Sequence, residues 1–238
     1  MIPPPAATAD SRRRAELVFA GCYIAVYLGY LFLHPEGEFL HWVSLVLLPL
    51  SGLYVIGRYG SIRYLLRSIG IERTRFASGL WWVVVLGAGF QLLQVLNKRQ
   101  YAELVDVLHA PLGFLMPLLA FNLLVGTVAT TEEIFFRGIL QARIANGVRS
   151  ELAGIIISTL AFIAYHVPYA YLNPSWSSAG DFLQALQSAA ANGGITGLVL
   201  GAVYWRSGRN LLAPVLLHAC IDLIPGTLLV HRLLATVQ

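Results

Sequence analysis

The sequence predicts an all-α protein, a polytopic membrane bundle of about seven to eight transmembrane helices, and three observations predict it. First, 57% of the residues are hydrophobic and only 12% charged, with a mean hydropathy of +0.69. Half the usual charged fraction cannot coat a water-facing surface of this size, so a soluble domain is excluded. Second, several apolar runs reach the roughly 20 residues that a helix needs to cross a hydrocarbon layer about 30 Å thick. Third, the basic residues gather between those runs, at 12–14, 58–75, 143–149 and 206–209, as cytoplasmic loops do under the positive-inside rule. The formal charge of +4 is modest and scattered through membrane loops, which speaks against a nucleic-acid partner.

The elements follow in order. Residues 1–16, with Pro3, Pro4 and Pro5, read as a disordered cytoplasmic tail. They lack the early basic residue of a signal peptide, and the apolar run after Arg14 is too long for a signal-peptide core. Residues 17–33 form the first span, stopped by the acidic turn of His34, Pro35, Glu36, Gly37 and Glu38. The chain returns over 39–56. Residues 58–76 place Ile62, Leu65, Leu66 and Ile69 at helical spacing among arginines, the pattern of a short amphipathic helix on the cytoplasmic interface.

Residues 80–96 are the third span, with Trp81 and Trp82 as an interfacial belt, and 97–110 are polar. From 112 one helix continues past Glu132, Glu133 and Arg137 to 145, where Asn146 and Gly147 predict its stop. At about 50 Å it is longer than the bilayer is thick and must tilt, kink or protrude. Residues 151–166 go back, 167–180 predict a loop, and 182–205 a helix with Gly193, Gly197 and Gly201 on one face for close helix approach. Residues 211–230 form the last helix, with Pro214 and Pro225 as interruptions. Cys22 and Cys220 both lie in apolar runs and read as small hydrophobes.

The ionisable residues that stand out within these apolar helices are six: Glu132, Glu133, Arg137, His166, His218 and Asp222. Each charge at mid-membrane costs on the order of 3 kcal/mol, so the group opposes insertion unless its members face one another. Their spacing says that they can. Glu132 and His166 lie about equally far from the turn that joins their antiparallel helices, so they come to one level. Glu133 and Arg137 are four apart, as are Phe162 and His166, and His218 and Asp222. Residue types alone leave three chemistries open: hydrolysis by a carboxylate-activated water, a metal site such as zinc, and a proton or ion pathway. The zinc pattern HExxH is absent.

The order of motifs adds a resemblance. Glu132-Glu133-Ile-Phe-Phe-Arg137-Gly138 matches EExxxRG, Phe162-Ile-Ala-Tyr-His166 matches FxxxH, and His218-Ala-Cys-Ile-Asp222 matches HxxxN/D. Together they resemble the CPBP family, the intramembrane CAAX-type proteases with their bacteriocin-processing and Abi-like branches, over about residues 112–225. With the hydropathy reading of the N-terminal part, the chain divides into the tail 1–16, N-terminal membrane helices with the interfacial helix over 17–111, and a CPBP-like core over 112–230.

The resemblance implies a metal-independent glutamate endopeptidase with no cofactor, acting within the bilayer on a membrane-associated protein or peptide; the rival readings are a non-catalytic immunity or scaffold member of the family and a transporter. Glu132 would activate water and His166 hold it; His218 and Asp222 would stabilise the oxyanion; Glu133 and Arg137 would position Glu132, with Phe162 packed beneath. Asp222 stands where the prenyl-protein proteases carry Asn, which weakens the expectation of a prenylated substrate. The N-terminal organisation and charge balance suggest a bacterial inner-membrane member.

Overall fold

The computed structural model describes residues 9–33, 49–50, 52–54, 61–72, 77–109, 112–172 and 177–235. Among them the regular structure is entirely helical: α1 Ala9–Leu33, α2 Ile62–Ser68, α3 Leu80–Leu96, α4 Lys98–Leu108, α5 Leu112–Glu133, a π-helix Ile134–Gln141, α6 Ala142–Val148, α7 Glu151–Leu172, α8 Phe182–Arg206 and α9 Leu212–Ala235. The expected span 39–56 lies largely outside the described residues, and so does most of the tail.

Two described helices are long and apolar enough by themselves to cross a membrane, Glu151–Leu172 and Leu212–Arg232, and a third is counted if α3 and α4 form one span bent by 94°. The expected seven to eight is therefore not reached on this criterion. Helix α3, with 17 residues, is short for a 30 Å layer. Helix α8 is long enough, but Gln184, Gln187, Ser188 and Asn192 dilute it.

The basic stretches meet at one end of the bundle. Asp10 and Arg149 pair at 3.5 Å across α1 and the α6–α7 turn. Arg209 donates to Glu151 Oε1 and, at 2.7 Å, to Asn146 Oδ1. Arg143 donates to Ser68 O and Oγ, which ties α6 to the end of α2. At the other end Arg232 of α9 pairs with Glu103 of α4, and Val107 packs on Ile224 and Leu228.

Three local expectations need correction. Helix α6 runs through Asn146 and Gly147 to Val148, and the turn falls at Arg149, whose φ is +56°. Gly147 is there for close approach: an added Cβ would stand 2.3 Å from Leu17 of α1. Helix α7 does not stop at His166 but continues through Pro168 to Leu172. Burial of Val167, Pro168 and Ala170 offsets the lost backbone bond, and Ser178 Oγ and Gly180 N–H close on the carbonyls of Ala170 and Tyr171. Helix α9 is unbroken by its prolines; Pro214 falls in the first turn, where a backbone N–H has no helical partner anyway. Of the cysteines, Cys220 is half-buried beside Gly87, whereas Cys22 is exposed.

The glycine face of α8 packs on α7 as the spacing suggests. A methyl at Gly193 would meet Phe162, at Gly197 Thr159, and at Gly201 Ile155. A larger side chain at the latter two would push the helices apart.

Candidate active site

The site begins where α5 gives way to the π-helix. Ala142 N–H donates to Arg137 O, five residues back, which is the wider turn of a π-helix. The π-helical residues from Phe135 to Gln141 are buried. Gly138, bare of a side chain, lets Ile69 press against the backbone; a Cβ there would stand 3.1 Å from Ile69 Cβ. Arg137 Nη2 then donates to Gly197 O at 3.3 Å, and Gln141 Nε2 to Gly201 O at 2.9 Å. Two side chains one turn apart thus reach two carbonyls one turn apart on α8.

Glu133 is fully buried, and its Oε1 accepts from Arg137 Nη1 at 2.8 Å and from His218 Nδ1–H at 2.8 Å. Its Oε2 has no hydrogen-bond partner among the described residues. With Nδ1 turned to Glu133, His218 presents Nε2 to two other carboxylates, Asp222 Oδ2 at 3.4 Å and Glu132 Oε2 at 3.8 Å. The second distance is beyond hydrogen-bond reach. Glu132 and His218 are buried, whereas the side chain of Asp222 is 37% exposed and opens the site on one flank. Carboxylates from α5 and α9 therefore surround one imidazole.

His166 approaches from α7. Its Nδ1–H donates to Phe162 O at 2.8 Å, because a carbonyl can only accept, and that tautomer leaves Nε2 as the acceptor nitrogen. Phe162 is the common neighbour. Its ring centroid lies 4.4 Å from that of His166 and 6.0 Å from that of His218, and the Arg137 guanidinium stands 4.7 Å from its centre. The six residues picked out in the sequence thus fall in one neighbourhood: Glu133, Arg137, His218 and Asp222 in a chain of direct polar contacts, Glu132 facing His218 at 3.8 Å, and His166 joined to them through Phe162.

Among the described residues, no three His, Cys, Asp or Glu side chains are disposed to hold a metal ion. Chemically the cluster offers buried bases, a histidine with one nitrogen held by a carboxylate, and a cation that neutralises that carboxylate.

Residues 111–224 match the Rce1-like family, described as type II CAAX prenyl endopeptidase Rce1-like. That segment holds all six residues, and it agrees with the resemblance carried by the three motifs. No curated protein and no solved structure matches the chain.

Two contributors escaped the sequence reading. Gln141 had a signal, since it lies four residues beyond Arg137 and eight beyond Glu133 in an apolar stretch. Ile69 was visible only as part of the apolar face of an interfacial helix, because the tertiary path of the α2 segment is what brings it onto Gly138.

Proposed function

We propose that the protein is an intramembrane endopeptidase that hydrolyses a peptide bond of a membrane-associated protein or peptide with a glutamate-activated water. The observation that carries this reading is His218, held by Glu133 at one nitrogen while the other faces Glu132 and Asp222, within a segment that matches an endopeptidase family.

Glu132 takes a proton from water, and the hydroxide adds to the carbonyl carbon. Nε2 of His166 accepts from the same water and orients it. Because Nδ1–H of His218 is committed to Glu133, Nε2 carries a proton only in the imidazolium form, for which the surrounding carboxylates supply the counter-charge. That N–H donates to the oxyanion. Glu132 then passes its proton to the leaving amine as the C–N bond breaks. Asp222, an acceptor while ionised, orients the imidazole rather than donating to the oxyanion. Arg137 keeps Glu133 in place from below.

The setting that fits this chemistry is a polytopic bundle of seven to eight spans in a bacterial inner membrane, with the bilayer as partner and no metal required. The substrate is a peptide or lipid-linked protein held near the membrane. The Asp at 222 argues against a strict requirement for a prenyl group.

The test compares the intact proteome of cells carrying the wild-type protein with that of cells carrying Glu132→Gln. We expect one membrane protein to keep a terminal segment in the variant, while the purified variant stays folded in detergent. Cleavage that survives Glu132→Gln would remove the base, and a rate lost to strong chelators and restored by zinc would replace the mechanism with a metal-dependent one.

A further inference from the structure

The first half of α8 carries polar side chains that take no part in the cluster around His218. Gln184, Ser188 and Asn192 recur every four residues and so form one stripe. Helical arithmetic continues that stripe to Val199 and Val203 toward the basic end. There it is covered, because Val199 and Val203 pack with Ala213, Leu217 and Ile221 of α9. Further along it is open: Asn192 and Gln184 are exposed and Ser188 is half-buried.

The open part stands at the level of the site. A Cβ on Gly193, the residue after Asn192, would lie 3.6 Å from the Phe162 ring and 3.9 Å from His166 Nδ1. On the adjoining helix the half-exposed Asp222 marks the accessible flank of the same cluster. Amide and hydroxyl groups exposed at membrane depth oppose insertion unless they meet a polar partner. Asn192 Nδ2 reaches Ser188 Oγ at only 3.5 Å, which leaves most of both groups' hydrogen-bonding capacity to something else.

From this placement we infer that Ser188 and Asn192, with Gln184 beyond them, bind the main chain of the substrate on one side of the scissile bond. The inference rests on the endopeptidase reading and adds the substrate's conformation to it. A peptide bond open to attack cannot lie inside a helix, and an extended segment surrounded by hydrocarbon must satisfy its N–H and C=O groups with the protein. A carboxamide and a hydroxyl one turn apart supply donors and acceptors along such a strand without reading its side chains. The occupant is thus an unwound stretch of about three or four residues, whatever its sequence.

The experiment uses the full chain in nanodiscs and a quenched fluorescent decapeptide ending in a farnesylated CAAX sequence, with the unlipidated peptide as a second probe. Ser188→Ala and Asn192→Leu should each raise KM about three- to tenfold, the range for one lost hydrogen bond, with kcat within about twofold of wild type. Asn192→Gln should recover part of the loss. A KM unchanged by both substitutions, or a fall in kcat alone, overturns the inference.

A second measurement separates this from failure of the hydrolase reading. With a photoreactive phenylalanine at position 192 in the Glu132→Gln background, the probe should be captured and competed by unlabelled peptide. The same group at position 198, on another face of α8, should not capture it. Capture without cleavage by the wild type overturns the hydrolase and keeps the binding stripe. Cleavage without capture at 192 overturns the stripe and keeps the hydrolase.

Discussion

Arg137 shows how much one buried side chain holds together. Its guanidinium pairs with Glu133 at 2.8 Å, caps the Gly197 carbonyl and lies over the Phe162 ring, with 1% of its side chain accessible. Arg137→Ala leaves a buried carboxylate without its cation, and such breaks cost about 3–5 kcal/mol. Thermal unfolding in detergent should show a clear loss of stability; Arg137→Lys should restore only part of it, since an ammonium cannot bridge Glu133 and Gly197 in one plane. A wild-type melting temperature for Arg137→Ala would mean that solvent reaches the pair. In the proposed reaction His218 donates to the oxyanion. His218→Ala should reduce kcat by about 10²–10³ with a smaller change in KM, as for loss of one oxyanion donor. An equal rise in KM instead would make it a binding residue.

At the scale of elements, the seam between α7 and α8 and the π-helix beside it set the geometry. A Cβ at Gly197 would come within 2.9 Å of Thr159 Cγ2, closer than packed atoms allow, whereas one at Gly194 would meet Ile163 at an ordinary 3.4 Å. Gly197→Ala should therefore lower the melting temperature and Gly194→Ala should not. Adding Thr159→Ala to Gly197→Ala removes the clashing methyl and should return part of the loss. Equal stabilities for both single variants would show that the helices can separate freely.

The glycine spacing was readable because period four in an apolar helix has few uses other than close contact. The π-helix was not, since nothing in Ile134–Gln141 distinguishes it from an α-helix; packing of its buried residues decides it. The extension of α7 through Pro168 was hidden for a similar reason. Proline reads as a stop, and only the burial around it shows why the helix continues.

Across the whole molecule, the charges assign the ends. Arg143, Arg149 and Arg209 meet partners from α1, α2, α6 and α7 at one end, while Arg232 and Glu103 mark the other. With Cys22 and Cys220 replaced, a single cysteine at the exposed Arg206 should be labelled only from the cytoplasmic side by a membrane-impermeant maleimide. One at Leu108, which is 75% exposed, should be labelled only from the opposite side. Labelling of both from one side would refute the orientation.

By itself the sequence determined the helical, membrane-adapted class and the identity of six polar residues, because charge in apolar helices is costly enough to be conspicuous. Three spaced motifs supplied their family resemblance. The spacing of four already pairs Glu133 with Arg137; only the tertiary structure decided that the same carboxylate also grips His218. Helical spacing gives a direction around one axis, and which carboxylate meets a ring on another helix depends on crossing, tilt and local winding that no single helix encodes. The same holds for Ile69 on Gly138, a contact between segments about seventy residues apart whose pairing exists only once the bundle has closed.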